Sequence, residues 1–151
     1  MSLDKVVLSV GPGDWAYLDD LVKVTADIVG PAGAMVDVLY VFPREDYDEI
    51  LEQMDVDQTS GGLSPDEVAE RHESVEIPVT KFEQLGIDFR IHGAVGGTPA
   101  SKIVSKTEEF GADMVVVSGS KRSPTGKAMF GDSAQQVLLN APCPVLYIKQ
   151  E

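Results

Sequence analysis

The residues best placed to do chemistry lie in one stretch, Met114–Val137, MVVVSGSKRSPTGKAMFGDSAQQV. An apolar run, Met114–Val117, ends at Ser118-Gly119. A loop punctuated by Gly and Pro follows, and a helical pattern restarts after Gly131. Strand, long loop, helix start is an arrangement in which an α/β protein holds an anion, because amides at a helix N-terminus point outward and carry partial positive charge. Between Met114 and Gly131 there is no Asp or Glu, whereas Lys121, Arg122 and Lys127 give a local charge of +3 in a chain of net charge −13. These residue types suit a phosphate-bearing small molecule. A solvated basic loop without a ligand is the other reading of the same charges.

Other chemistry is poorly served. Ser118, Ser120, Ser123 and Ser133 crowd the loop, but no G-x-S-x-G elbow is present and His72 and His92 lie elsewhere, so no catalytic residue is assigned. Thr125-Gly126-Lys127 resembles part of a phosphate-binding P-loop, yet the full spacing fails and Ala128 stands where a magnesium-binding hydroxyl is needed. The two His and one Cys are far apart in sequence, so no metal site is expected. The carboxylates of residues 43–64 lack the ligand spacing of a calcium loop.

The elements that would position the loop alternate regularly. Lys5–Val10, Met35–Phe42, Ile87–Val95, Met114–Val117 and Val145–Lys149 read as strands, several of them nearly continuous in Val, Leu and Ile, as strands buried on both faces are. Gly11-Pro12-Gly13 breaks the first, and Asp14 is placed to cap a helix with the stripe Leu18, Leu21, Val22, Thr25, Ile28 and Val29, ended by Gly30-Pro31. Residues 43–64 are acidic and read as a mobile insertion between the second strand and the second main helix, carrying one short helix through Tyr47, Ile50, Leu51 and Met54. Ser64-Pro65-Asp66-Glu67 starts a helix whose stripe, Val68, His72, Val75, Val79 and Phe82, carries it to Gly86 with a kink at Pro78. His72 on that stripe reads as a packed side chain. Thr98-Pro99 opens the next helix, closed by Gly111, and Ser133–Leu139 forms the last.

This β-α alternation predicts a single α/β domain over residues 1–151, with a doubly wound five-stranded parallel sheet, order 3-2-1-4-5, and helices on both faces. Ligands bind such sheets beyond the carboxyl ends of the strands, where the winding direction reverses. Here that point lies between strands 1 and 4. It faces Val10, Gly11 and Pro12 toward Ser118 and Gly119.

Composition bounds the partners. With 25 Asp and Glu against 12 Lys and Arg, the surface repels nucleic acid and anionic membranes. No apolar run approaches the ~18 residues of a membrane span. One cysteine, Cys143, excludes an intrachain disulfide and fits a reducing cytoplasm. The acidity also suits a halophilic source, since molar salt shortens the screening length to ~3 Å and removes self-repulsion. Val145–Ile148 would form an apolar sheet edge, a hazard unless covered, which calls for a partner strand.

Taken together, GADMVVVSGS at Gly111–Ser120, FGDSAQQVL at Phe130–Leu138, APCPVLYIK at Ala141–Lys149 and GGTPASKIV at Gly96–Val104 resemble the universal stress protein family. The resemblance implies the adenine-nucleotide alpha-hydrolase-like fold. It also implies cytoplasmic homodimers paired through the last strand and, in one subclass, ATP, with Mg, bound between strands 1 and 4. With the acidity, it points to a halophilic archaeon. That subclass carries G-x2-G-x9-G-[S/T]. Gly119 matches the first glycine, but Arg122 replaces the second and the interval to Gly131 is one residue short. Asp132 follows Gly131, leaving Ser133 for the phosphate-facing role. Gly11 stands where the family often has an Asp, and Val41 matches a position whose backbone meets the adenine. Two arrangements fit these departures. In one, Lys121, Arg122 and Lys127 hold phosphates despite Asp132. In the other, Arg122 pairs with Asp132 and fills the crevice. The functions that follow are a nucleotide-binding stress-response module without fast turnover, a ligand-free dimeric interaction protein, or a slow ATPase or phosphotransferase.

Overall fold

The computed structural model describes residues 2–54, 63–120 and 132–150, the side chains of Ser120 and Asp132 excepted. Five strands, β1 (Lys5–Val10), β2 (Met35–Phe42), β3 (Phe89–Val95), β4 (Met114–Ser120) and β5 (Val145–Gln150), pair in the order β3-β2-β1-β4-β5. Each neighbouring pair is parallel. The order and the parallel pairing are those expected from the alternation of elements.

Side chains alternate along each strand and so feed two cores. Val6, Leu8, Val10, Val36, Val38, Tyr40, Phe42 and Val116 face one layer of helices. That layer comprises α1 (Leu18–Ala32), α2 (Arg44–Gln53), α3 (Pro65–Glu70) and α4 (Glu73–Gln84). Val7, Leu39, Val41, Val115 and Val117 face the other layer, α5 (Pro99–Phe110) and α6 (Asp132–Asn140). Burial on both faces explains why β1, β2 and β4 read as nearly continuous apolar runs, broken only by Ser9 and Asp37 before the end of β4, while the edge strand β3 mixes in Arg90 and His92.

Several boundaries differ from the sequence reading. A 3₁₀ turn, Pro12–Tyr17, precedes α1, and α1 runs through Gly30-Pro31 to Ala32. Pro31 in the last turn removes only one helical bond, and Gly33, at φ 68°, supplies the left-handed cap that ends the helix. The expected single helix from Ser64 to Gly86 is two. His72 is extended (φ −84°, ψ 133°) and its Nδ1 accepts the Ser74 N–H at 3.1 Å, so it caps α4 and breaks the run six residues before Pro78. The Ser64 capping box is present at α3. Strand β3 begins at Phe89 rather than Ile87, while β4 and β5 run on to Ser120 and Gln150. The mobile-loop reading of Gln58–Gly62 lies outside the described residues.

Helix α3 lies directly on β3. Gly93 allows this: a β-carbon there would stand 2.1 Å from the Pro65 carbonyl oxygen. The Gly93 N–H donates to Asp66 Oδ1 at 2.8 Å, fixing the helix start to the strand.

Candidate functional site

The β1–β4 ladder stops early. Paired residues run from Val6↔Met114 to Leu8↔Val116, whereas β1 stays paired to β2 as far as Val10↔Tyr40 and β4 to β5 as far as Ser120↔Gln150. Past Leu8 the two central strands part, and a cavity of about 510 Å³ opens at their carboxyl ends. Its floor is apolar, with Val41, Ile103, Val117 and Val137 from β2, α5, β4 and α6. Its polar rim includes Asp14, Ser118, Ser133 and Gln150. A buried apolar floor with a few convergent polar groups is how small-molecule sites are usually built.

Of the residues singled out in the sequence, Val10, Gly11, Pro12, Val41, Ser118, Gly119 and Ser133 line this cavity together. Lys121, Arg122, Lys127 and Gly131 lie outside the described residues, as does the Asp132 side chain, although Asp132 begins α6. Neither basic-loop arrangement, phosphate clamp or Arg122–Asp132 pair, falls within the described structure.

Asp14 and Gln150 are site residues that the sequence reading missed. Asp14 was read as a helix cap, and one oxygen does serve the turn: Oδ2 accepts the Gly11 N–H at 2.7 Å. The other reaches across the crevice. Oδ1 accepts from Ser118 Oγ and from Gln150 Nε2, both at 2.5 Å, and Gln150 Nε2 also lies 3.0 Å from Ser118 Oγ. One carboxylate thus ties the ends of β1, β4 and β5. Gly11 itself carries no side chain into the crevice, but a carboxylate enters it three residues later. The Gly-Pro-Gly-Asp spacing, which puts Asp14 one tight turn beyond the strand, was the available signal. With both oxygens engaged by donors, Asp14 is not free to hold a magnesium ion in this arrangement.

Gly119 has a packing reason of its own. A β-carbon there would lie 2.9 Å from the Tyr147 hydroxyl oxygen and 3.3 Å from its ring. Tyr147 from β5 therefore packs against Gly119, a residue of the cavity wall, only because residue 119 has no side chain.

Among the described residues, no cluster of three His, Cys, Asp or Glu is placed to hold a metal ion, and no helix is long and apolar enough to cross a membrane. Cys143 packs beside the second core, where burial and the charge of Asp113 push its thiol above the usual range.

Comparison with known proteins places the fold. A solved universal stress protein from Archaeoglobus fulgidus superposes with a TM-score of 0.71, at 26% identity over 99% of this chain and 100% of that one. A universal stress protein solved in complex with cAMP superposes with a TM-score of 0.69, at 15% identity and with full coverage of both chains. In sequence, a universal stress protein from Mycolicibacterium smegmatis is 28% identical over 94 residues, covering 62% of this chain and 72% of its own. The profile of the universal stress protein family matches residues 16–149, nearly the whole chain and the α-helices of all four crossovers of the sheet, so this chain belongs to that family.

Proposed function

We propose that this protein binds an adenine nucleotide in the crevice between the ends of β1 and β4 and acts as a stress-response or signalling module without fast turnover. The observation that carries this is the early parting of β1 and β4 after Leu8↔Val116, which leaves a 510 Å³ cavity with an apolar floor and a polar rim. Such a cavity suits a planar base against Val41, Ile103 and Val117, with sugar hydroxyls within reach of Asp14 and Ser118. Ser133 lies in the first turn of α6, where helix amides favour phosphate. The bases Lys121, Arg122 and Lys127 precede that helix in sequence and supply charge for the phosphates. The relative solved with cAMP supports the ligand class.

The finer reading is ATP carried with Mg, the metal held by phosphate oxygens rather than by Asp14. The chain acts as one unit, and residues 43–64 form an acidic insertion within it. A homodimer forms through β5, whose residues Val145–Ile148 are only half buried at the sheet edge. The setting is the cytoplasm of a salt-adapted organism, as the net charge of −13 suggests.

Calorimetric titration of AMP and ATP-Mg in concentrated KCl tests the reading. The expected result is saturable heat and a rise in melting temperature, since a ligand at about 100 times its Kd stabilises by about 2.7 kcal/mol. No heat and no thermal shift at about millimolar nucleotide, a free energy near −4 kcal/mol, would leave a ligand-free interaction protein. Phosphate release that is abolished by Arg122→Ala would make it a slow ATPase.

A further inference from the structure

Among the described residues, the crevice between β1 and β4 is lined by one charged side chain, Asp14, and four other polar ones, Ser9, Ser118, Ser133 and Gln150. Three of these five are bonded to one another. Asp14 Oδ1 accepts from Ser118 Oγ and from Gln150 Nε2, and Asp14 Oδ2 accepts the Gly11 N–H. Gln150 Nε2 turns its second N–H to Ser118 Oγ at 3.0 Å. The three side chains close a ring of hydrogen bonds at the rim.

The members of that ring are not held equally. Asp14 is fixed to the turn after β1 by the Gly11 bond, and Ser118 lies inside β4, paired with Ile148. Gln150 ends β5, an edge strand paired only to β4, and its side chain is half-buried and flexible. It is the member free to leave. When it does, a carboxylate oxygen and a hydroxyl are left facing the cavity, and buried polar groups of that kind call for new donors.

We propose that Gln150 is a built-in competitor for the crevice. Its carboxamide holds the places on Asp14 and Ser118 that the sugar hydroxyls of a nucleoside take, and the guest binds by displacing it. The apparent affinity is then reduced by the fraction of molecules in which Gln150 is out of the way. This inference rests on reading the crevice as a nucleotide site, and its test separates the two.

Adenosine and 2′,3′-dideoxyadenosine are titrated calorimetrically into the wild type and Gln150→Met, which keeps the chain length and removes both donors. The expected result is adenosine binding about tenfold tighter to Gln150→Met, the order of one or two net hydrogen bonds, with dideoxyadenosine changed by less than about twofold because it lacks the hydroxyls. Gln150→Ala should follow the same pattern. In the wild type, the Gln150 side-chain amide signals in NMR should move on adding adenosine and not on adding dideoxyadenosine. Equal adenosine affinities in wild type and variants, weaker binding in the variants, or an equal gain for both nucleosides would overturn the competitor role and leave the crevice reading standing. No binding of either nucleoside to any of these proteins would overturn both.

Discussion

Ser118 Oγ donates to Asp14 Oδ1 across 104 positions of sequence, joining the end of β4 to the turn that follows β1. The bond spans the mouth of the crevice, and Gln150 Nε2 shares the same acceptor. Asp14→Ala leaves three donors without their acceptor. It is expected to lower unfolding free energy by about 1–3 kcal/mol, read from urea midpoints. Ser118→Ala should cost less. In a double-mutant cycle the two should be clearly non-additive, because they remove one shared contact.

Gly119 and Tyr147 form a second pair at the same site. Gly119→Ala drives a methyl group to 2.9 Å from the Tyr147 oxygen. A loss of about 1–3 kcal/mol is expected from this overpacking, measured by thermal melting. Adding Tyr147→Phe to Gly119→Ala should cost less than the sum of the single changes. Strict additivity would mean the glycine is not held by that ring.

Gly93 leaves no comparable relief. The atom it would meet is backbone, the Pro65 carbonyl oxygen at 2.1 Å. Gly93→Ala must push α3 off β3 and is expected to cost more than about 3 kcal/mol or to prevent folding. Asp66→Asn keeps an acceptor for the Gly93 N–H and should stay folded with a small loss.

Acid should destabilise the fold in two windows. His72 caps α4 through unprotonated Nδ1, and burial, opposed by Glu73, lowers its pKa from 6.5. The folded state binds its proton more weakly than the unfolded state, so this stability is present above pH 6.5 and is lost as pH falls through the lower folded value. Asp37 is fully buried in β2, with Arg90 Nε donating at 3.0 Å and His92 Nε2 at 2.8 Å from the same oxygen. Burial alone would raise its pKa, but the bonds from His92 and Arg90 and their charges outweigh it and bring it below 3.8. Its contribution is therefore present above pH 3.8 and lost below that, toward the folded value. Urea midpoints followed from neutral pH downward should show both losses. His72→Asn, which retains a cap, removes the upper one, and Asp37→Asn removes the lower while costing stability at neutral pH. Profiles parallel to wild type would refute the assignment.

Sheet order was legible because the central strands are compact apolar runs and every connection is long enough for a crossover helix, which leaves few right-handed topologies. Helix ends were less so. Gly30-Pro31 looks like a stop, but one missing bond in an exposed last turn is tolerated, and the left-handed residue that ends α1 is Gly33. The break at His72 was invisible because Val68, His72 and Val75 keep the same period across it, and only the backbone of His72 leaves the helix. At the site, the glycine-bearing strand ends announced the crevice. Gln150 could not be foreseen, since it meets Asp14 from 136 positions away through strand pairing alone.

Pro12 borders two cavities, the crevice between β1 and β4 on one side and, on the other, a recess of about 430 Å³ lined by residues that include Trp15, Tyr40 and His72. The turn it opens is a shared partition wall. A guest that displaces this wall on one side reshapes the room on the other, and thermodynamics requires the influence to run equally both ways. If each cavity has an occupant, the affinity of either becomes a gauge of whether the other is home.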